Sequence, residues 1–217
     1  MKPSFKLLIF LFSISILSSC DTVQKPKYFD YGKIENNVYI NPYFNFKMDI
    51  PPKWVVQDKK QTERLAEIGK KAVAGDDENL SKIIKASEVR SAILLTVFKH
   101  EIGTPVDFNP SIMVVVENVS IAPGIKNGAD YLYQTRKLLK RSKIQYEYID
   151  DDFEKVTIND TDFYRMNLGI NTAGVDVKQS YYVTVKDGFA IATIITYTTE
   201  EEKKELEKYL NTIQFDN

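Results

Sequence analysis

Four groups of side chains in this 217-residue chain could carry chemistry. His100 is the only histidine. A zinc triad, a Ser-His-Asp triad and a Cys-His dyad all need an imidazole with converging partners. Here the one imidazole follows Phe98-Lys99, with only Glu101 beside it, and it reads as a surface residue near a turn. Asp150-Asp151-Asp152 with Glu154 offers the oxygens that a hard cation such as calcium takes, or the carboxylates of a hydrolase. Successive strand residues point to opposite faces, however, and the Gly-centred spacing of a calcium loop is absent. The run therefore reads as a solvated connection. Asn159-Asp160-Thr161-Asp162 and Asp76-Asp77-Glu78 read as a turn and a helix start. Lys137, Lys140, Arg141 and Lys143 could meet anionic headgroups, but a helix C-terminus attracts cations anyway. No stacking aromatics interleave them as in a nucleic-acid groove. With no G-x-S-x-G elbow, phosphate-cradling loop or dinucleotide fingerprint, the sequence assigns no catalytic, cofactor-binding or metal-ligating residue.

The fourth group is the single cysteine, Cys20. Leu17-Ser18-Ser19-Cys20 closes an apolar run behind Lys2 and Lys6, and this order resembles a bacterial lipoprotein signal with its lipobox. The resemblance implies cleavage after residue 19 and a diacylglyceryl group on the thiol. The alternative of a spanning helix fits poorly, because Leu7–Leu17 is 11 residues broken by Ser13 and Ser15, whereas a span takes about 20. Asp21 resembles an inner-membrane retention signal in bacteria with two membranes and carries no such meaning in bacteria with one. Loss of residues 1–19 removes two lysines, leaving 198 residues with 27 basic and 30 acidic side chains and a formal charge of −3. That balance calls for no nucleic acid, and with Cys20 lipidated the fold rests on its core alone. Residues 20–37 are polar and read as a tether, with Tyr28, Phe29 and Tyr31 able to dock on the domain; residues 38–217 read as one domain.

The elements follow from periodicity. Val38–Ile50 reads as two short strands around Asn41-Pro42, with Phe44, Phe46, Met48 and Ile50 on one side, stopped by Pro51-Pro52. Gln61–Ala74 reads as a helix with Leu65, Ile68 and Ala72 inward, ended by Gly75. Asn79–Ser87 reads as another, with Leu80, Ile83 and Ile84 inward. Ala92–Phe98 and Ile112–Val116 are continuous apolar runs, the mark of strands covered on both faces. Ala129–Lys143 reads as a helix presenting Leu132, Thr135, Leu138 and Leu139. Tyr146 and Tyr148 then alternate, and residues 162–197 read as a three-stranded antiparallel meander turning at Asp187-Gly188. Thr199 with Glu202, or Thr198 with Glu201, caps a last helix carrying Leu206, Leu210 and Ile213, with Phe215 as a final plug. Trp54 and Phe215 are expected in one shared core. Tyr131, Tyr133, Tyr146, Tyr148, Tyr181 and Tyr182 could stack on a sugar or a protein; Tyr182, beside Lys178 and Ser180, has the parity of an exposed candidate unless helices cover that face.

The opening strand leading to Ile50-Pro51-Pro52-Lys53-Trp54, with the closing Tyr181-Tyr182-Val183, Gly188-Phe189-Ala190, Tyr197-Thr198-Thr199-Glu200-Glu201 and Ile213-Gln214-Phe215, resembles the PsbP-like family over most of residues 38–217. The resemblance implies an α+β fold, an antiparallel β-sheet flanked by helices in an α/β/α sandwich. Members are extracytoplasmic and mostly not enzymes. Plant members support photosystem II, many bacterial ones are lipoproteins, and no shared catalytic motif carries over.

The function expected from these readings is a lipid-anchored, extracytoplasmic, non-catalytic binding or assembly module on a bacterial membrane, with an envelope protein as partner and no cofactor. A small-molecule or polysaccharide-binding lipoprotein is the alternative, favoured by a tyrosine-lined pocket with a few converging polar groups. A carboxylate hydrolase is the third, requiring two carboxyl groups facing each other across a cleft.

Overall fold

The computed structural model describes residues 30–216. Four helices and twelve strands follow in the order β1 (Lys33–Glu35), β2 (Val38–Asn41), β3 (Phe46–Asp49), β4 (Val55–Val56), α1 (Lys59–Ala74), α2 (Glu78–Glu88), β5 (Ser91–Phe98), β6 (Ser111–Asn118), α3 (Gly128–Arg141), β7 (Tyr148–Ile149), β8 (Glu154–Ile158), β9 (Thr161–Thr172), β10 (Val175–Lys186), β11 (Phe189–Tyr197), α4 (Glu200–Leu210) and β12 (Gln214–Phe215). The large sheet runs β4-β5-β6-β11-β10-β9-β7, with β8 also on β9; a small sheet runs β1-β2-β3-β12. Every pairing among these strands is antiparallel. The class is α+β, with helices and the small sheet layered on the large one.

Strand parity decides what each face meets. In β9 and β10, Met166, Leu168 and Val183 point to the face covered by α3, whose Leu132 and Leu139 complete that cluster. Tyr182 points the other way, into a cluster with Phe46, Met48, Leu206, Leu210 and Ile213 from the small sheet and the α4 segment. The core is thus two clusters separated by the sheet, which corrects the expectation of one. Trp54 and Phe215 do join the same cluster, each only partly buried; the Phe215 ring lies 5.4 Å from Phe46. Reading each strand in isolation conceals this division, because a fully covered strand looks apolar whichever layers cover it.

Local chemistry sets the element ends. Thr199 and Glu202 form the capping box of α4, as its sequence predicts, and Asn127 with Asp130 forms that of α3. At the β10–β11 turn, Asp187 and Gly188 both take positive φ, 50° and 77°, which matches the right-handed twist of a two-residue hairpin. The β8–β9 hairpin turns on Asn159 and Asp160 at φ 44° and 64°. It adds β8 to the expected three-stranded meander, since the charges of Glu154 and Lys155 mask a half-exposed edge strand. The Asn159 amide bonds to the Asn211 and Ile213 carbonyls, both at 2.9 Å. It ties this turn to the end of α4 instead of to its own backbone. Tyr146 precedes the two-residue β7 instead of forming a longer strand.

The helices after β4 depart most from the periodicity. Ile68 is 58% exposed and Ala72 is exposed, while Leu65, Ala66 and Val73 are half-buried and Ala74 is buried. In α2, Leu80 is buried but Ile83 is exposed. Two overlapping apolar stripes are available on α1, and the one containing Ala66, Val73 and Ala74 is the more buried. The segment expected as tether is shorter at its domain end: β1 pairs with β2, and Tyr31 is held by its carbonyl, which accepts the Tyr39 hydroxyl at 2.6 Å.

Candidate binding cleft

β4 covers β5 only at Val97 and Phe98. Along Ser91–Leu95, β5 has β6 on one side and no strand on the other among the described residues. A bulge between Ile93 and Leu95 shifts the register there, which brings Leu94 and Leu95 both into burial. α1 starts directly after Gln57-Asp58, its N-terminus closed by a capping box of Asp58 with Gln61. It runs past this open edge, and the β1–β2 ribbon closes the far side. Between the three lies a cleft of about 800 Å³, with Ile34, Val56, Ala66, Ala92, Ile93 and Leu94 among its lining. Its size falls within the usual range for small-molecule sites, roughly 300–1,000 Å³.

Beside the charged residues of the lining, two polar side chains in it are buried. Gln57 is 6% exposed and Thr96 is 1% exposed, and both line the cleft. The Gln57 backbone N–H donates to the Thr96 carbonyl at 2.9 Å, extending the β4–β5 ladder by one rung. The Gln57 side-chain Nε2 donates to the Val55 carbonyl at 3.1 Å, which fixes the amide orientation, because the reverse flip would oppose two oxygens. Gln57 Oε1 and Thr96 Oγ1 are buried without a hydrogen-bond partner in the structure, and neither atom presents accessible surface to the cleft. A buried acceptor in that state costs about 1–3 kcal/mol.

The wall beside them is held firmly. Asn41, fully buried, donates to the Asp30 carbonyl and to the Tyr39 hydroxyl, and accepts from the Phe44 N–H. Burial pushes the Tyr39 hydroxyl up to about 12. At the rim, Lys70 bridges Glu67 and Glu88, each at 3.1 Å, Lys33 pairs with Glu35 at 2.8 Å, and the Lys59 ammonium sits 4.0 Å from Glu63 and 5.4 Å from the Tyr31 ring centroid. The hydrogen bonds that Lys70 donates to Glu88 and Glu67 hold its ammonium above the usual lysine range.

The residues singled out by sequence lie elsewhere. Cys20 falls outside the described residues. The carboxylates of residues 150–154 diverge: Asp150 accepts from Asn167 N and Nδ2, both at 2.8 Å, Asp151 from Lys140 at 3.1 Å, and Glu154 pairs with Arg165. Lys140 holds the Asp151 carboxyl below its ordinary range. The basic end of α3 is thereby partly neutralised by the acidic run, each group having supplied the other's partner. The His100 backbone is clamped by Asn109 through two bonds of 2.9 and 2.8 Å. Among the described residues no group of three or more His, Cys, Asp or Glu side chains could hold a metal ion, and no helix is long and apolar enough to cross a membrane.

Tyr182 is covered by α4: its hydroxyl donates to Glu207 at 2.9 Å, and burial pushes that hydroxyl upward. Tyr131 likewise donates to Glu117 at 2.9 Å, a carboxylate that also takes Arg90 and Ser87. The tyrosines that line the cleft, Tyr31 and Tyr39, are not the ones periodicity suggests. Their signal in sequence is slight: a glutamine and a threonine at apolar strand positions, Gln57 and Thr96, flanking a helix that follows at once.

No protein-family model and no curated protein matches the chain. Among solved structures it is similar to a protein of Bacteroides thetaiotaomicron, at 16% identity and TM-score 0.45, over 85% of this chain and 50% of that one; it spans about half of that protein's length. It is similar to cyanobacterial PsbP of Synechocystis, at 11% identity and TM-score 0.48, over 85% of this chain and 98% of that one. It is also similar to LpqN, involved in cell envelope biogenesis of Mycobacterium tuberculosis, at 11% identity and TM-score 0.36, over 77% and 78%. The α+β architecture stands on the strands and helices themselves.

Proposed function

We propose that this protein is a non-catalytic binding module, held at the extracytoplasmic face of a bacterial membrane by a lipid on Cys20, and that it binds through the cleft between α1, β5 and the β1–β2 ribbon. The observation that carries this reading is the cleft itself: a hollow of ligand size whose lining is largely apolar and whose rim is charged. The third reading, a carboxylate hydrolase, finds no support in residues 150–154, whose acids point to separate partners.

The anchor and the cleft bear on one another. Ten residue-to-residue steps lead from Cys20 to Asp30, at most about 35 Å of chain at full extension, and Tyr31 and Gly32 are part of the cleft lining. A lipid on Cys20 therefore keeps the cleft mouth close to the bilayer surface. An envelope protein remains the second occupant to test, because the unpaired edge of β5 is the kind of surface to which an extended segment adds a strand.

Two experiments test the reading. Cys20→Ser should move the chain from the membrane fraction to the soluble one; retention of the variant in the membrane with residues 1–19 intact refutes the anchor. For the cleft, a photo-crosslinking p-benzoylphenylalanine is placed at Glu63, in the cleft lining, or at Lys204, exposed on α4, and irradiated in cells. An adduct formed at position 63, absent at 204 and abolished by Ala66→Trp supports the cleft, and its mass tells a small molecule from a second chain. Identical adducts at both positions refute it.

A further inference from the structure

Resting on the reading of the chain as tethered to a membrane through Cys20, we infer that the outer face of α2 and α3 is the side that lies on the bilayer, and that it takes anionic lipid headgroups. The two helices form one face. The Ser87 and Tyr131 hydroxyls donate to the same Glu117 carboxylate, at 3.0 and 2.9 Å, which places the end of α2 beside the start of α3. The Lys143 N–H donates to the Val73 carbonyl at 2.9 Å, which brings the end of α3 to the α1–α2 turn. With Leu80 of α2 and Leu132 and Leu139 of α3 buried, the helical period turns Lys82, Lys85 and Val89 outward on α2, and Lys137 and Arg141 outward on α3.

The positive charge of this face is not cancelled within the domain. Lys85, Lys137, Arg141 and Lys143 are exposed and belong to no ion pair among the described residues. The nearby acids are engaged: Asp130 accepts the N–H groups of Lys126 and Asn127, Asp77 accepts that of Leu80, Glu78 stands 4.0 Å from Lys82 and Asp151 takes Lys140. Asp76, in the turn before α2, is the acid left over among the described residues of this face. Across the sheet, α4 has the opposite sign, with five glutamates against three lysines. A formal charge near zero for the whole chain therefore hides a positive side and a negative side.

An anionic leaflet favours each Lys or Arg beside it about fivefold, within a screening length of about 8 Å, and so selects the side that a tethered domain turns toward it. Val89 and Tyr133, 49% and 47% exposed, add the apolar and tyrosyl contacts of an interfacial surface; the Lys137 ammonium lies 5.4 Å from the Tyr133 ring centroid. The tether permits this pose. Asp30 is held through its carbonyl by Asn41 of the small sheet, beyond the large sheet from α3. At about 10 Å per layer it stands about 25 Å from the outer face of the helices, within the reach of about 35 Å that leads back to Cys20.

The test supplies the anchor chemically, so its failure falls on the surface alone and the Cys20→Ser fractionation still judges the anchor. Residues 20–217 are coupled through Cys20, the only thiol, to a maleimide lipid in vesicles of phosphatidylcholine, alone or mixed with phosphatidylglycerol. A water-soluble amine-acylating reagent labels the exposed lysines, and peptide mass spectrometry reads each site. On the anionic vesicles, labelling of Lys85 and Lys137 should fall about fivefold relative to Lys204 and Lys208, exposed on α4. On phosphatidylcholine alone the two faces should label alike. Salt at about 1 M, where the screening length shrinks to about 3 Å, should abolish the difference. With Lys85→Gln, Lys137→Gln and Arg141→Gln combined, Lys82 and Lys143 should lose their protection, whereas Lys204→Gln with Lys208→Gln should leave it in place. Equal labelling of the two faces on anionic vesicles overturns the proposal, as does protection that persists without phosphatidylglycerol or in the triple variant. Protection seen only on isolated native membranes overturns lipid as the occupant and assigns the face to an acidic membrane protein.

Discussion

Gly128 opens α3 at the point where that helix rests on β10, and a methyl group there separates two opposing effects cleanly. In open space, Gly→Ala in a helix is stabilising by about 0.5–1 kcal/mol, because alanine loses less backbone freedom on folding. At Gly128 an added Cβ would lie 2.0 Å from the Val183 carbonyl oxygen, 2.8 Å from its carbon and 3.2 Å from the Tyr164 ring. The nearest atoms are backbone of a central strand, paired on both sides by β9 and β11, and cannot rotate away as a side chain would. The helix–sheet gap must open by at least about 1 Å to bring that contact to 3.0 Å, which loosens Leu132 and Leu139 on Met166, Leu168 and Val183. Overpacking of this kind costs about 1–3 kcal/mol, occasionally more, and outweighs the propensity gain. Gly128→Ala should therefore destabilise the domain by about 1–2 kcal/mol. Gly69, inside α1 with nothing within 4 Å of its missing Cβ, supplies the control: Gly69→Ala should stabilise by about 0.5–1 kcal/mol. Urea unfolding of both variants with a shared slope measures the pair. If Gly128→Ala matches or exceeds Gly69→Ala in stability, α3 does not seat on β10 as described.

Other consequences are open to direct measurement. Glu117→Leu strands Arg90 and the buried Tyr131 hydroxyl at once; since Arg90 keeps some solvent, a loss of about 1–3 kcal/mol is expected in urea unfolding, and a neutral result would remove the network from the stability argument. Trp54→Ala and Phe215→Ala should both lower the melting temperature, each by less than the about 3–5 kcal/mol of a fully buried aromatic, because both rings are partly exposed; no change in either would detach that element from the core. At alkaline pH, Tyr39 titrates near 12 when folded against an ordinary 10.0. Its contribution, of the order of 2 kcal/mol, is fully present below pH 10 and disappears as pH rises through 12. Stability measured between pH 9 and 12 should fall less steeply in Tyr39→Phe, and identical slopes would contradict the burial of that hydroxyl.

Much of the fold was legible in the chain because strand parity and capping are local. Val177, Tyr181, Val183 and Val185 share a face whatever lies above it, and Thr199 with Glu202 closes a helix from within four residues. The meander, the Asp187-Gly188 turn and the α4 stripe of Leu206 and Leu210 belong to this class. The absence of convergence among Asp150, Asp151 and Glu154 was also foreseeable, since neighbouring residues on an extended chain diverge. What periodicity could not supply was a choice between equivalent stripes. α1 carries Leu65, Ile68 and Ala72 on one line and Ala66, Val73 and Ala74 on another, and only tertiary packing decides which is covered.

By itself the sequence determined the long strands of the meander, the four helices, the α4 cap, the Asp187-Gly188 turn, the charge balance and the lipobox-like Leu17-Ser18-Ser19-Cys20, all properties of residues close together along the chain. The division of the core into two clusters, the burial of Tyr182 under α4 and the cleft were decided by tertiary structure alone. The cleft in particular is made by something no local pattern encodes. β4 ends after Val56, leaving an edge of β5 unpaired, and α1 and the β1–β2 ribbon, drawn from either side of it in the chain, enclose that edge without filling it. Such a hollow is a property of the assembled space, because which residues face one another across a gap is set by packing between elements distant in the chain.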